Sequence, residues 1–284
     1  MGSFVAPDGR RVAYRQVGQG PVLVCHPGGP GFSSRYFGDL AGLGTARTLV
    51  LLDPRGTGGS ERPSDPRAYA IADYVGDLEA LREHLGLARM ELLGHSHGGV
   101  VAMAYAITHP DQVERLVLAS TLARFAEAQA DAMDAAMLAK AGAPWYDDAR
   151  AALEDEQAGR FRDDEELGGL VLREFPFYFA GYGEPERAWA EALRGEHVNG
   201  DALRLFNEEI FPTFDLRAQL VRVNAPALVV TGELDFITGP VCADEIAAGI
   251  AGARLVVLPG VGHLVFVEAP ERFTREALAF LGTG

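Results

Sequence analysis

The chain has 284 residues, of which 48% are hydrophobic and 23% charged, and its formal net charge is -15. This composition is typical of a globular protein with one large domain, or with one domain that carries an insertion. The acidic charge argues against nucleic acid and anionic membrane as partners, because both bind clustered lysine and arginine, and no apolar run reaches the ~18 residues of a membrane span.

Lysine and cysteine usage limits the chemistry further. Lys140 is the only lysine, which argues against Schiff-base chemistry and Ser-Lys dyads. Cys25 and Cys242 are too distant to form a C-x-x-C pair. We expect both cysteines to be buried, with a reactive thiol at Cys25 as the alternative. The N-terminus lacks a signal-peptide pattern, so we expect a cytoplasmic protein.

The first third of the chain contains two apolar runs that each end in a glycine-rich loop. Residues 3–17 alternate apolar and polar side chains around a Pro-Asp-Gly turn, which predicts a β-hairpin. The run at 21–25 predicts a strand buried on both faces. The Gly-Pro segment 26–31 that follows is either a tight connection or a loop that brings a main-chain N–H to a substrate carbonyl.

The second apolar run, 48–52, leads into Asp53-Pro-Arg55-Gly-Thr-Gly-Gly-Ser60. No Gly-Lys-Ser/Thr follows, so this loop is not a P-loop. We expect Asp53 and Arg55 to fix the loop by local hydrogen bonds.

Helical and strand patterns then alternate up to residue 119. The spacing of apolar residues predicts an amphipathic helix over 72–86, a strand over 90–93, a mostly apolar helix that ends near residue 109 and a strand over 113–119. This alternation predicts a mainly parallel sheet with helices on both faces. Binding sites in such sheets lie at the carboxyl ends of the strands.

The segment Gly94-His95-Ser96-His97-Gly98 lies between the strand predicted over 90–93 and the helix that follows it. It has the G-x-S-x-G pattern of a nucleophile elbow. Small residues two places before and after Ser96 allow the strand and helix backbones to approach closely. The pattern also places the N–H of His97 at a helix N-terminus, where an oxyanion would form. His95 and His97 flank a sharp turn and should diverge, which argues against a metal site.

Residues 121–221 break the alternation and predict an inserted helical cap. Acidic runs such as 154–156 and 163–166 are typical of exposed helix faces. The aromatic segment 175–179 and Tyr182 predict either a pocket wall or the cap's own core. Glu208 and Glu209 are expected either at the pocket mouth or on the exposed surface.

The sheet pattern resumes with strands over 226–231 and 254–258, followed by Asp235 and His263, and a C-terminal helix over 269–281. The chain therefore divides into a core, 1–120 and 222–284, and a cap, 121–221. Ser96, Asp235 and His263 occur in the order nucleophile, acid and base, each after a buried strand. In this arrangement His263 would take the Ser96 proton, Asp235 would orient the imidazole, and the N–H groups of Gly29 and His97 would bind the oxyanion. The chemistry needs no metal or cofactor; an inactive hydrolase-like fold is the alternative.

These residues resemble the α/β-hydrolase superfamily, and within it the proline iminopeptidase group. Residues 28–31 match the second half of that group's H-G-G-P-G loop, and 53–60 resemble its D-Q-R-G-x-G-x-S. The resemblance implies an α/β-hydrolase fold and the release of N-terminal residues, often proline, from small peptides. It also implies that cap carboxylates hold the free amine, for which Glu208 and Glu209 are the candidates. Phe236 departs from the group, because relatives that bind a free amine often carry glutamate directly after the triad acid.

Three functions remain open at this stage. The first is a serine aminopeptidase of the proline iminopeptidase type, favoured by the cap glutamates. The second is a carboxylesterase or lactonase that acts on small uncharged acyl substrates, favoured by an apolar Phe236 at the substrate. The third is a binding module without catalysis. The expected partner is a small molecule or short peptide, and the sequence does not indicate an oligomeric state.

Overall fold

The computed structural model describes residues 1–282 and contains one eight-stranded sheet in the order β1-β2-β4-β3-β5-β6-β7-β8. The strands are β1 Gly2–Val5, β2 Arg11–Gly18, β3 Val22–His26, β4 Thr48–Leu52, β5 Met90–His95, β6 Val113–Ala119, β7 Ala227–Gly232 and β8 Arg254–Leu258. β1 pairs with β2, and β2 with β4, in antiparallel fashion; all other pairs are parallel. The predicted hairpin and the mainly parallel sheet are confirmed.

The central strands are buried on both faces, as their continuous apolar sequences predict. In β3, Leu23, Val24 and Cys25 are fully buried, and they alternate between two apolar clusters on opposite sides of the sheet. Burial raises the pKa of the Cys25 thiol well above its usual range, so Cys25 is a small core residue rather than a reactive thiol.

Ten helices accompany the sheet within the described residues. They are α1 Ile71–His84, α2 His97–Thr108, α3 Glu127–Leu138, α4 Tyr146–Gln157, α5 Asp164–Tyr178, α6 Glu184–Ala192, α7 Gly200–Leu205, α8 Pro240–Gly249, α9 Val265–Glu268 and α10 Pro270–Leu281. The predicted helices 72–86 and 269–281 correspond to α1 and α10. None of the helices within residues 1–282 combines the length and the apolar character that a membrane crossing requires.

Five of the helices, α3 to α7, lie between β6 and β7, in the segment expected to form a cap. A π-helical turn at Phe206–Ile210 and a 3-10 helix at Arg217–Arg222 complete this segment. Its two ends meet in an isolated antiparallel bridge between Arg124 and Asp215. The segment therefore leaves and rejoins the sheet at one place, as an insertion should, although the division into core and cap stays a prediction.

Candidate active site

Ser96 occupies the sharp turn between β5 and α2. Its φ of 55° is unusual for a residue with a side chain. A Cβ on Gly94 would lie 2.3 Å from the carbonyl oxygen of Gly98, and one on Gly98 would lie 2.2 Å from the carbonyl oxygen of His26. Only glycine fits at either position, which is the close approach that the G-x-S-x-G pattern predicts.

Ser96 and His263 line one cavity of about 80 Å³, together with residues from four cap helices. Most of the wall is apolar, and Phe175 and Tyr178 of α5 contribute aromatic rings to it. Phe177 and Phe179 are instead fully buried in the protein interior. The aromatic segment 175–179 therefore forms part of the pocket wall and part of the buried interior, so each of its two interpretations is partly correct.

Asp235 and His263 lie in the loops after β7 and β8 and contact each other. His263 Nδ1 is 2.9 Å from Asp235 Oδ2, and both residues are buried. The same carboxylate accepts hydrogen bonds from Thr238 Oγ1 at 2.8 Å, from the N–H of Thr238 at 3.0 Å and from the N–H of Ile237 at 3.1 Å. These contacts orient the imidazole of His263, which lines the cavity.

The hydrogen bonds also fix the charge of Asp235. Burial alone raises the pKa of this carboxyl, but the neighbouring His263 and the hydrogen bonds from Thr238 outweigh it and lower the pKa to about 2. Asp235 is therefore ionised at every pH at which the protein would work.

The two predicted oxyanion donors belong to different elements, the loop after β3 and the first residue of α2. Gly29 follows β3 and lines the cavity, and its φ of 111° is one that a residue with a side chain rarely adopts. His97 begins α2, where main-chain N–H groups have no partner within the helix. The ring of His97 turns away from the cavity and packs on Phe206 and Tyr74, whereas His95 packs on His263, so the two histidines diverge as expected.

Asp53 has the local role predicted for it, whereas Arg55 bonds to residues outside its loop. Asp53 Oδ1 accepts from the N–H and the hydroxyl of Ser34, and its Oδ2 accepts from the N–H of Gly59. Arg55 forms a buried pair with Asp77, with distances of 2.6 and 2.7 Å. Both residues stabilise loops of the core and neither lines the cavity of Ser96.

The proposed amine-binding residues do not reach the cavity. Glu208 and Glu209 are exposed on the π-helical turn, and Glu209 lies 3.5 Å from Arg67. This turn directs both carboxylates to solvent. Phe236 also differs from the prediction that it binds the substrate: its ring packs on Phe177 and lines a separate cavity of about 340 Å³.

Two other glutamates, Glu156 of α4 and Glu174 of α5, line the Ser96 cavity. We call them the acidic pair. Glu174 is 2% exposed, and its Oε2 has no hydrogen-bond partner within residues 1–282. Glu156 is half-buried, although the sequence analysis placed the whole run 154–156 on an exposed face.

The sequence does contain a signal for Glu174. It lies on an apolar stripe of α5 with the helical spacing of Leu167, Leu170, Val171, Phe175 and Tyr178. Because the apolar face of a helix packs against the rest of the protein, a charged residue within that face is expected to be buried. Charge runs alone do not reveal this position.

The electrostatics of the acidic pair are opposite to those of Asp235. Burial raises the pKa of Glu174 well above its usual value, and the nearby Glu156 raises it further. Burial also raises the pKa of Glu156, to about 7. A positively charged ligand group would favour the ionised form of both carboxyls.

Comparisons with known proteins agree with this architecture. A family model described as alpha/beta hydrolase fold matches residues 21–270. A proline iminopeptidase from Lactobacillus helveticus is 31% identical over 281 residues, which cover 93% of this chain and 92% of that protein.

Two solved structures share the fold over 99% of this chain. An enol-lactonase from Burkholderia xenovorans superposes with a TM-score of 0.77 at 27% identity, over 99% of its own length. A hydrolase from Pseudomonas aeruginosa superposes with a TM-score of 0.75 at 29% identity, over 98% of its length. The chain belongs to the α/β-hydrolase family, and it is a hydrolase.

Proposed function

We propose that this hydrolase is a serine hydrolase that acts by acyl transfer, with Ser96 as nucleophile, His263 as general base and Asp235 as the orienting acid. The strained turn at Ser96, the 2.9 Å contact between His263 and Asp235, and the cavity that Ser96 and His263 share support these roles.

The proposed reaction begins with proton transfer from Ser96 Oγ to His263 Nε2 as the oxygen attacks the substrate carbonyl. The N–H groups of Gly29 and His97 hold the resulting oxyanion. His263 then gives the proton to the leaving group, and an acyl-enzyme remains on Ser96. Water, activated by the same imidazole, releases the acid and restores the serine.

We propose, further, that the substrate carries a free amine, as in an aminopeptidase of the proline iminopeptidase type. The acidic pair supports this substrate class, because an unpartnered buried carboxylate is costly and an ammonium group would provide its missing donors. The proposal transfers the amine-binding role from Glu208 and Glu209 to Glu174 and Glu156. The likeness to a proline iminopeptidase over most of both chains points to the same substrate class.

An esterase or lactonase that acts on small uncharged acyl groups is the second candidate. The largely apolar cavity wall favours it. The raised pKa of Glu174 also favours an esterase or lactonase, since a protonated Glu174 would hydrogen-bond an uncharged substrate. The likeness to an enol-lactonase is consistent with this alternative.

A comparison of three substrates tests both proposals. The rates to measure are those on prolyl 4-nitroanilide, on N-acetylprolyl 4-nitroanilide and on 4-nitrophenyl acetate, each with Ser96→Ala as control. We expect all turnover to be lost in Ser96→Ala, and we expect the free amine to give a much higher kcat/KM than its acetylated analogue.

The outcomes separate the candidates. Equal rates on the two anilides, or cleavage of the ester alone, would replace the aminopeptidase with the esterase. Full activity of folded Ser96→Ala on every substrate would refute the serine mechanism itself. An activated ester alone is not decisive, because any Ser-His pair hydrolyses it readily.

A further inference from the structure

A chain of hydrogen bonds connects the glycine loop after β3 to the loop that carries His263. The N–H of Gly28 donates to Tyr36 Oη at 2.6 Å. Tyr36 Oη lies 2.8 Å from His95 Nδ1, and His95 Nε2 lies 3.3 Å from the carbonyl oxygen of His263. Tyr36 and His95 thus bridge two loops that are far apart in sequence but meet at Ser96.

The chemistry of the two ends fixes the direction of every bond. A main-chain N–H can only donate, so Tyr36 Oη accepts from Gly28. The carbonyl of His263 can only accept, so a neutral His95 carries its proton on Nε2, and its Nδ1 accepts the proton of Tyr36 Oη. His95 must be neutral for this arrangement, and burial does lower its pKa to about 3.

The bridge holds its loop directly against the nucleophile. A Cβ on Gly28 would lie 2.8 Å from the Cβ of Ser96, so this part of the loop is in contact with the serine. The next residue, Gly29, carries the proposed oxyanion donor. Oxyanion donors work only when they are held in place before the charge develops.

We propose that Tyr36 and His95 are positioning residues, which hold the Gly29 N–H at the oxyanion and couple it to the loop of the general base. This inference rests on the proposed role of Ser96 as nucleophile. It predicts that the loss of the bridge slows the chemical step rather than substrate binding.

The variant Tyr36→Phe removes one oxygen and keeps the ring, and Tyr69→Phe is its matched control. Tyr69 is buried too, at 1% exposed against 7% for Tyr36, and its Oη accepts a hydrogen bond from Asn199 at 2.8 Å, outside the Ser96 cavity. We expect Tyr36→Phe to lower kcat on 4-nitrophenyl acetate by about 10- to 100-fold with KM within twofold, and Tyr69→Phe to leave both unchanged.

Labelling by a fluorophosphonate separates this inference from the proposed function. The reagent phosphonylates an activated serine through a charged, oxyanion-like transition state. If the wild-type protein is not labelled at Ser96, the serine mechanism fails. If the wild type is labelled but Tyr36→Phe is labelled equally fast, or if Tyr36→Phe changes only KM, the positioning role is refuted while the serine mechanism stands.

A double substitution tests whether the two residues act as one unit. Tyr36→Phe and His95→Phe interrupt the same series of bonds, so the double variant should lose no more kcat than the worse single variant. Additive losses in folded proteins, checked by thermal unfolding, would mean that the two side chains act independently and would contradict the bridge.

Discussion

The core and the cap each bury a carboxylate near Ser96, but they treat it in opposite ways. Asp235, in a loop of the core, accepts four hydrogen bonds and keeps its charge. Glu174, on a cap helix, is buried as well, and one of its oxygens has no partner within the described chain. Burial therefore does not determine the charge of a carboxyl; its partners do.

This contrast indicates what each carboxyl is for. A charge that is already satisfied can orient a neighbouring group through every step of a reaction, as is proposed for Asp235. A carboxyl that lacks a partner gains most from a ligand that brings one. Asp235 of the core is therefore permanently ionised, whereas Glu174 of the cap would gain a partner, and its charge, when an amine binds.

The largest expected effect is that of Asp235→Asn. An amide at this position favours the imidazole tautomer whose Nε2 is protonated, which leaves His263 unable to accept the Ser96 proton. We expect kcat to fall about 10⁴-fold, as for other triads with this substitution, and KM to change little. Steady-state kinetics on an ester measure the loss, and a decrease below tenfold would contradict the orienting role.

Glu174→Gln should act on one substrate class only. The neutral amide removes the charge that a substrate ammonium would meet, so kcat/KM on prolyl 4-nitroanilide should fall about 100-fold while the ester rate stays within twofold. The substitution should also raise the melting temperature by ~2–4 °C, because the folded protein is relieved of the cost, about 1 kcal/mol, of protonating a glutamate that is ionised in the unfolded chain. Exposed Glu208→Gln is the matched control and should change neither quantity.

Equal losses on the amide and the ester in Glu174→Gln would contradict amine binding. They would indicate instead that the carboxyl supports the cavity wall. A loss specific to Glu208→Gln would return the role to the residue that the family resemblance suggested.

The contrast between core and cap also marks the limit of sequence reasoning. Ser96, Asp235 and His263 each follow a predicted strand, although the last of these strands, β8, is a partly exposed edge strand rather than the buried one expected. The carboxyl ends of parallel strands meet at one edge, so local patterns place all three near one another. The apolar stripe of α5 indicates that Glu174 is buried, but it does not indicate that this face meets the Ser96 cavity. That depends on how the inserted helices pack on the core, which no local pattern encodes. The resemblance implied Glu208 and Glu209 instead, which lie on a turn that faces solvent.

The acidic pair should also make substrate choice depend on pH. Glu156 has a pKa of about 7, so its charge, and with it the affinity for an ammonium, increases as the pH rises through neutrality. An amino group on the substrate loses its proton near pH 8. The ratio of kcat/KM on prolyl 4-nitroanilide to that on 4-nitrophenyl acetate should therefore rise a few-fold above pH 6 and fall again above pH 8. The ratio cancels any titration that both substrates share, and Glu156→Gln should make its rise below pH 8 smaller, with Glu174 accounting for the rise that remains.

The smallest expected effect is that of Thr238→Val, which removes one of the hydrogen-bond donors that distinguish Asp235 from Glu174. Valine keeps the shape of threonine and removes the hydroxyl, which donates to Oδ2 at 2.8 Å and lies 3.1 Å from His263 Nδ1. The contacts from His263 and from two main-chain N–H groups remain, so Asp235 should stay ionised at neutral pH and its pKa should rise only modestly from about 2. We expect kcat to fall about threefold, which corresponds to about 0.7 kcal/mol, because three of the four donors to the carboxylate remain. A loss as large as that of Asp235→Asn would mean that the hydroxyl, rather than the whole set of donors, holds the charge in place.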